Sequence, residues 1–332
     1  MGIGLALRVD QLTGDRVNTV NDTAVAQGKA LLDADDDRVA EVNALRIGLR
    51  GACTARMRPA MQSLIARLRG NLGTFPRGPV YLGDFTALLT TQWGGMLFVD
   101  TRDSLLAPPL LLNGTWEPEV TKWLSSTLKR GSVFVDVGAN IGYYSLLAAM
   151  LVGPTGGVVA VEAHPRMAQL LRRNMVANRV GVTTWHRAAW SHSEQLTFHM
   201  RAQFGANSST GSLDEVSLGE LGDTEELTEV QGIAVDDLVD QMHRIDVIKI
   251  DVEGAEARVL KGLSRTIAAN PQITVMFEWS PGQMKMLDDD PAKLIDAFLE
   301  LGFQFRLIED GLAPITPSRL LQLAYGNVVA SR

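Results

Sequence analysis

Val133–Ser145, VFVDVGANIGYYS, is the stretch on which the reading of the whole chain turns. An apolar run ends in Asp136, and two glycines follow, Gly138 and Gly142, with Asn140 between them. The run has the character of a buried strand. The glycines allow the backbone to approach a ligand closely, and Tyr143 begins a helical pattern. Glycine loops at helix N-termini commonly cradle phosphate. A carboxylate at the mouth of such a loop opposes phosphate by Coulomb repulsion, so Asp136 demands another partner.

Outward from this stretch, strands and helices alternate. The pattern predicts strands at 133–137, 158–162, 182–186, 245–250 and 273–278, with helices at 143–151, 167–178, 255–269 and 292–301. A short added strand is expected at 195–200, a helix at 235–242, and two closing strands at 303–308 and 327–330. Alternating βα units imply a parallel sheet with helices on both faces. Residues 79–103 read as strands broken by Gly and Asp, and Asn113–Glu119 opens a helix with Pro118 in its first turn. Three parts result: an N-terminal helical extension over 1–75, a β-rich lead-in and helix over 76–130, and an α/β domain over 131–332. The extension carries an acidic cluster, Asp33–Asp37, and an arginine-studded helical pattern from Val39 to Leu68. A solvated helical hairpin is expected there, and a homodimerisation or substrate-recruiting arm is the alternative. Arg201–Glu229 breaks the rhythm, and reads either as a solvated insertion or as a lid over a site.

Composition narrows the function classes. The 332 residues are 46% hydrophobic and 21% charged, as in an ordinary globular protein. No apolar run reaches the roughly 20 residues of a membrane span. The N-terminus lacks the basic lead and apolar core of a secretory signal, and a single cysteine, Cys53, leaves no intramolecular disulfide. A cytoplasmic location is expected. A net charge of −7 offers no broad basic footprint, so no nucleic-acid partner is expected.

In open α/β sheets, ligands bind beyond the carboxyl ends of the strands, where strand order reverses. The loop Asp136–Gly142, including Gly138, Ala139 and Asn140, belongs at that position. Glu162 ends the next strand, about 20 residues beyond Gly142, where a carboxylate can grip two ribose hydroxyls. Any adenosine cofactor fits this far. Asp136 separates them, because a dinucleotide brings pyrophosphate to the loop whereas S-adenosylmethionine brings an ammonium and a sulfonium. Asp136 is expected to reach the ammonium directly or through water, and capping of the following helix is the plainer alternative. The spacing also departs from the GxGxxG dinucleotide fingerprint.

A second block, Ile248–Glu256 (IKIDVEGAE), ends a later strand. Lys249 and Asp251 alternate with isoleucines, so both can project on one side at the reactive edge. Glu253 and Glu256 fall near the first turn of the next helix, where its dipole favours carboxylates. Glu278 ends the following strand and opens into the same crevice. Lys249, Asp251, Glu253 and Glu278 are therefore the candidate catalytic residues.

With both blocks in hand, the chain resembles the FkbM family of S-adenosylmethionine-dependent methyltransferases. The resemblance rests on Gly114–Glu117, FVDVGANIGYYS, Val159–Pro165, Leu171–Asn174 with Asn178, Ala188–Ala189, IKIDVEGAE with Val259–Gly262, and Phe277–Glu278. It implies a class I (Rossmann-like) methyltransferase sheet of seven strands, the last antiparallel, and methyl transfer to a hydroxyl of a sugar or natural product. Ala163 and Ala189 join the expected cofactor contacts on this basis. The family usually has an acid–proline pair after the second strand. Here Ala163-His164 intervenes before Pro165, which leaves the ribose role with Glu162.

The acceptor is expected to be a small molecule or glycan. An RNA or protein acceptor, a non-catalytic cofactor-binding module and a nicotinamide-dependent oxidoreductase are the competing readings. The histidines show no metal-ligand spacing, and His164, His186, His192 and His199 read as structural or solvated. Asp251, Glu253 and Glu278 could offer oxygen ligands to magnesium. A divalent metal is thus a possible but not favoured cofactor, because Lys249 would compete with a dication; the favoured reading has Lys249 steady the developing alkoxide or orient a neighbouring carboxylate.

Overall fold

The computed structural model describes residues 78–201, 208–211 and 224–332. Residues 1–75, expected to form a helical extension, and most of the insertion read as a solvated loop or a lid therefore lie outside the described residues. A meander of β1 (Val80–Gly83), β2 (Thr86–Thr90) and β3 (Met96–Asp100) comes first. Helices α1 (Ala107–Asn113) and α2 (Pro118–Thr127) lead from it into β4 (Val133–Val137), α3 (Tyr143–Val152), β5 (Gly157–Glu162), α4 (Pro165–Ala177) and β6 (Thr183–His186). Strands β7 (Ala188–Trp190), β8 (Glu194–Arg201) and β9 (Glu225–Ala234) form a separate sheet in the order β7-β9-β8. The chain continues through α5 (Val235–Leu238), β10 (Val247–Ile250), α6 (Glu256–Lys261), α7 (Ser264–Ala269) and β11 (Thr274–Trp279). It closes with α8 (Pro281–Met286), α9 (Pro291–Glu300), β12 (Gln304–Leu307), β13 (Ala313–Ile315), α10 (Pro317–Leu320) and β14 (Gly326–Ser331).

The main sheet runs β13-β12-β14-β11-β10-β4-β5-β6. Strands β6, β5, β4, β10 and β11 are parallel neighbours, while β14 lies antiparallel between β11 and β12. This is the expected seven-stranded sheet with its antiparallel last strand, plus β13 as an added edge. Both faces are buried, as the continuous apolar runs require. Phe134, Val158, Val247 and Met276 pack on one side, and Val135, Val159, Ile248 and Phe277 on the other. Strand order reverses between β4 and β10, so a crevice opens at their carboxyl ends.

Local chemistry attaches the lead-in to this sheet. Asn174 of α4 is fully buried. Its Oδ1 accepts from Phe98 N at 2.7 Å, and its Nδ2 donates to Phe98 O at 3.1 Å and to Ile141 O at 2.7 Å. Asn178 makes a similar pair with Met96. Two amide side chains thus satisfy the free edge of β3 and tie it to the glycine loop.

Three segments differ from the sequence expectation. The helix expected over 255–269 breaks at Gly262, where an added Cβ would stand 2.0 Å from Trp190 O, because β7 presses its backbone there. The helix expected over 235–242 is the single turn α5, and the Asp236 carboxylate on it caps α7 by accepting from Thr266 N at 2.8 Å. Residues 225–229, read as part of an irregular insertion, belong to β9 and pair with β8. Their charged residues fooled the periodicity, because the small sheet leaves much of this part of β9 partly or fully exposed. Among the described residues no helix is long and apolar enough to cross a membrane.

Candidate active site

Parallel pairing sets Lys249 of β10 beside Asp136 of β4, so both side chains leave the sheet on one face. Beyond the strand ends, the two sequence blocks interlock. Gly138 has φ +77°, and a Cβ placed on it would lie 1.7 Å from Asp251 O. Only glycine permits that approach. Gly138 N and Ala139 N each donate to Val161 O at 3.0 Å, and Asp251 N donates to Val137 O at 3.0 Å. The loop is therefore clamped between the ends of β5 and β10.

A cavity of ≈ 370 Å³ opens over this clamp, within the range of small-molecule sites. Of the residues expected from sequence, Gly138, Ala139, Asn140, Glu162, Ala163, Ala189, Lys249, Asp251, Glu253 and Glu278 line it. Asp136 and Gly142 do not. Asp136 is fully buried beneath the floor, where Ser145 Oγ donates to its Oδ2 at 2.6 Å. The direct reach to a ligand ammonium is thereby corrected, because the carboxylate has no accessible surface. Burial raises its pKa, and nearby Lys249 and the Ser145 hydroxyl work against that rise. Gly142 begins α3 at φ +85° and faces Leu171 of α4, so it serves packing of the loop.

Glu162 occupies one end of the cavity. Its Oε2 accepts from Asn140 N and its Oε1 from His164 N, both at 2.7 Å. Burial pushes this carboxyl up to about 7, against the pull of those two backbone donors. Each oxygen keeps lone-pair capacity for one further donor. His164 itself caps α4 by accepting from Arg166 N, a structural role as expected.

The opposite end is crowded with acids. Lys249 Nζ donates to Asp251 Oδ2 at 2.7 Å and lies 5.2 Å from the centre of the Tyr144 ring. Burial alone would lower the lysine, but Asp251 and Asp136 outweigh it and hold the ammonium charged well above its ordinary value. Glu253 adopts φ +57° just before Gly254, which carries it back toward the cavity, and it accepts from Gln283 Nε2. Glu278 is buried at the end of β11, and its Oε2 has no hydrogen-bond partner among the described residues. Burial and mutual repulsion raise both Glu253 and Glu278 well above the carboxylate range.

Sequence reasoning missed Glu117 as a site residue. It stands at φ +37° ahead of α2, and its Oε2 accepts from Tyr144 OH at 2.8 Å. Its Oε1 lies 3.4 Å from Asn327 Nδ2 and 3.5 Å from Tyr325 OH. Burial and then Asp251 raise this carboxyl, with Lys249 and Tyr144 opposing. The signal was present in Gly114–Glu117, but only the left-handed backbone reveals where the carboxylate goes.

Residues 136–305 match the methyltransferase FkbM domain. The 31-O-demethyl-FK506 methyltransferase FkbM of Streptomyces tacrolimicus is 31% identical over 159 residues, covering 41% of this chain and 61% of that protein. A protein-L-isoaspartate O-methyltransferase of Methanothrix thermoacetophila is 40% identical over 48 residues, covering 14% of this chain and 23% of that protein. The chain thus spans less than two thirds of either relative. Among solved structures, an S-adenosylmethionine-dependent O-methyltransferase of Thermotoga maritima superposes with a TM-score of 0.36 at 14% identity, over 76% of this chain and 94% of that one.

Proposed function

Because the chain belongs to the FkbM methyltransferase family, we propose that it is an S-adenosylmethionine-dependent O-methyltransferase acting on a hydroxyl of a small-molecule natural product or sugar. The observation that carries this reading is one cavity with Glu162 at one end and the Lys249–Asp251 pair at the other. The residues fit the cofactor. Glu162 is held by two backbone donors with acceptor capacity left for two ribose hydroxyls, and the glycine loop lets the backbone come close. Among the charged residues of the lining, acids outnumber bases, which suits a cationic cofactor and opposes the pyrophosphate of a dinucleotide.

The cofactor, when bound, supplies a methyl group on a positively charged sulfonium. The chain must align the acceptor hydroxyl and remove its proton. Asp251, aimed by Lys249 Nζ, is the proposed proton acceptor. Lys249 stays charged and so cannot itself be the base; it steadies negative charge developing on the acceptor oxygen. Glu117, holding the Tyr144 hydroxyl, closes the same end and positions the ring against which Lys249 rests. Asp136 acts from below, as a buried partner to Lys249.

The test is incubation of the chain with methyl-labelled cofactor and a fractionated extract of its source. Label should appear in a small-molecule or glycan fraction as a base-stable methyl ether. Label confined to RNA or protein would overturn the acceptor assignment. Tight NAD binding without binding of S-adenosylmethionine would overturn the cofactor.

A further inference from the structure

A second cavity, of ≈ 300 Å³, opens between the turn after β3, the start of α4 and the β8–β9 hairpin, and it shares no lining residue with the first. Three arginines from these three places line it: Arg102, Arg166 and Arg201. Asp100, Asp103 and Glu226 match them by count but not by place. Buried Asp100 serves two of the three, since Arg102 Nη2 donates to its Oδ2 at 2.7 Å and Arg166 Nε donates to the same oxygen. Asp103 Oδ1 accepts from Leu105 N and Leu106 N at 3.0 and 2.9 Å, within its own turn. Glu226 is exposed, as is Asp84 at 3.9 Å from Arg166 Nη1, and ion pairs in water contribute little. Burial pushes the His164 ring down to about 4, so it adds no charge near neutral pH. Arg201 is left over. It is half-buried, it makes no ion pair among the described residues, and its Nε is buried without a hydrogen-bond partner. Burial and neighbouring acids raise Glu253 in the main cavity, and Arg201 opposes that rise only through space. A half-buried guanidinium with no anion beside it is costly to keep.

We propose that this cavity binds a phosphate-class oxyanion, held by Arg201 together with the N–H donors that Asp100 leaves unspent on Arg102 and Arg166. A guanidinium carries several such donors in a planar fork that matches phosphate oxygens. Arg102 spends Nε and Nη2 on Asp100, and Arg166 spends Nε on it and Nη2 on Asp84 O. Asp100 therefore orients two forks while neutralising only one charge. Pro165, Met167 and Met200 add an apolar wall, which suits a phosphate ester with a short organic part. The volume stands at the lower end of small-molecule sites. Acids of the main cavity repel phosphate, so the two cavities sort ligands by charge. They adjoin, since Ala163 and Phe198 line the first and His164 and Met200 the second. Phosphate could arrive on the methyl acceptor or on a separate phosphorylated molecule, and the recognising chemistry is the same.

Phosphate binding here is independent of methyl transfer, so each can fail alone. The probe is inorganic phosphate at about pH 8, where it is a dianion, added to the full chain at constant ionic strength in chloride. Its phosphorus magnetic resonance signal is followed for broadening. Saturable broadening is expected, half-complete in the low millimolar range and reversed by sulfate. Arg201→Gln breaks no ion pair and so keeps the fold, and it should weaken phosphate binding at least about tenfold. Arg102→Lys keeps a cation beside Asp100 but loses the fork, and should weaken it about threefold or more. Calorimetric binding of S-adenosylhomocysteine should be unchanged in both variants. Absence of saturable broadening up to ~20 mM phosphate would overturn the site. So would unchanged phosphate affinity in Arg201→Gln. Phosphatase treatment of the labelled methyl product names the source: loss of negative charge puts the phosphate on the acceptor, and a resistant product assigns it to a separate molecule. Failure of the wild type to bind S-adenosylhomocysteine would instead overturn the proposed function and leave the phosphate titration untouched.

Discussion

Glu162→Gln removes one charge and keeps the shape of the side chain, which makes the proposed ribose contact measurable. Its two oxygens hold Asn140 N and His164 N at 2.7 Å, so the carboxylate is already oriented before a ligand arrives. Each ribose hydroxyl donating to it forms a charge-assisted hydrogen bond worth about 1.5–3 kcal/mol. Loss of the charge should therefore weaken binding of S-adenosylhomocysteine by at least about tenfold. The acid form binds poorly for the same reason. Because burial pushes the carboxyl up to about 7, wild-type affinity should be roughly tenfold higher near pH 8 than near pH 6. The sign for stability is opposite. A carboxyl raised above its ordinary 4.5 holds its proton longer when folded. The cofactor-free fold therefore loses stability as pH rises through the window from 4.5 to about 7. Glu256, also lifted to about 7 by burial, adds to that loss, so the difference between wild type and Glu162→Gln isolates Glu162. Calorimetric titrations and thermal melts across that range supply both quantities. A wild-type affinity that does not change with pH, or a folded variant that binds as wild type does, would refute the assignment.

Lys249→Met and Asp251→Asn should each lower turnover by about 100-fold or more, with cofactor affinity held within roughly tenfold, as read by steady-state kinetics beside calorimetry. Lys249→Met also takes the ion-pair partner from Asp251 and the nearby positive charge from buried Asp136, and should lower the melting temperature; a value equal to wild type would contradict that. Gly138→Ala forces a side chain into a left-handed backbone position 1.7 Å from Asp251 O, and should cost more than about 2 kcal/mol in chemical unfolding and abolish cofactor binding. Asn174→Ala strands the polar groups of Phe98 and Ile141, and should lower stability by at least about 2 kcal/mol in the same assay.

The βα rhythm made the parallel sheet legible because its strands are buried on both faces and read as continuous apolar runs. Gly138 and Glu162 were legible for a related reason: a loop at a strand tip and an acid ending the next strand have fixed places in this topology. Strand β9 was hidden because one-sided burial leaves its first half rich in Glu and Thr. Asp136 was expected at a ligand's ammonium, yet the positive charge near it within the fold is Lys249, and period-two counting along β4 could not show how deep it sits. Glu117 escaped because its place depends on one left-handed residue and on partners, Tyr144 and Asn327, distant from it in the chain.

The proposed acceptor end of the cavity draws Glu117 from before the matched family segment and Tyr325 from after it, with Asn327 beside Glu117, since that segment spans only 136–305. Strand β14, wedged between β11 and β12, also lies beyond its end. A fragment trimmed to the family boundaries would expose the edge of β11 and lose the tyrosine and acid that close the site. The segment that announces kinship and the flanks that shape this end of the cavity are thus separate stretches of polypeptide. Two relatives aligned through the shared segment alone could therefore hold the same cofactor and still accept unrelated molecules.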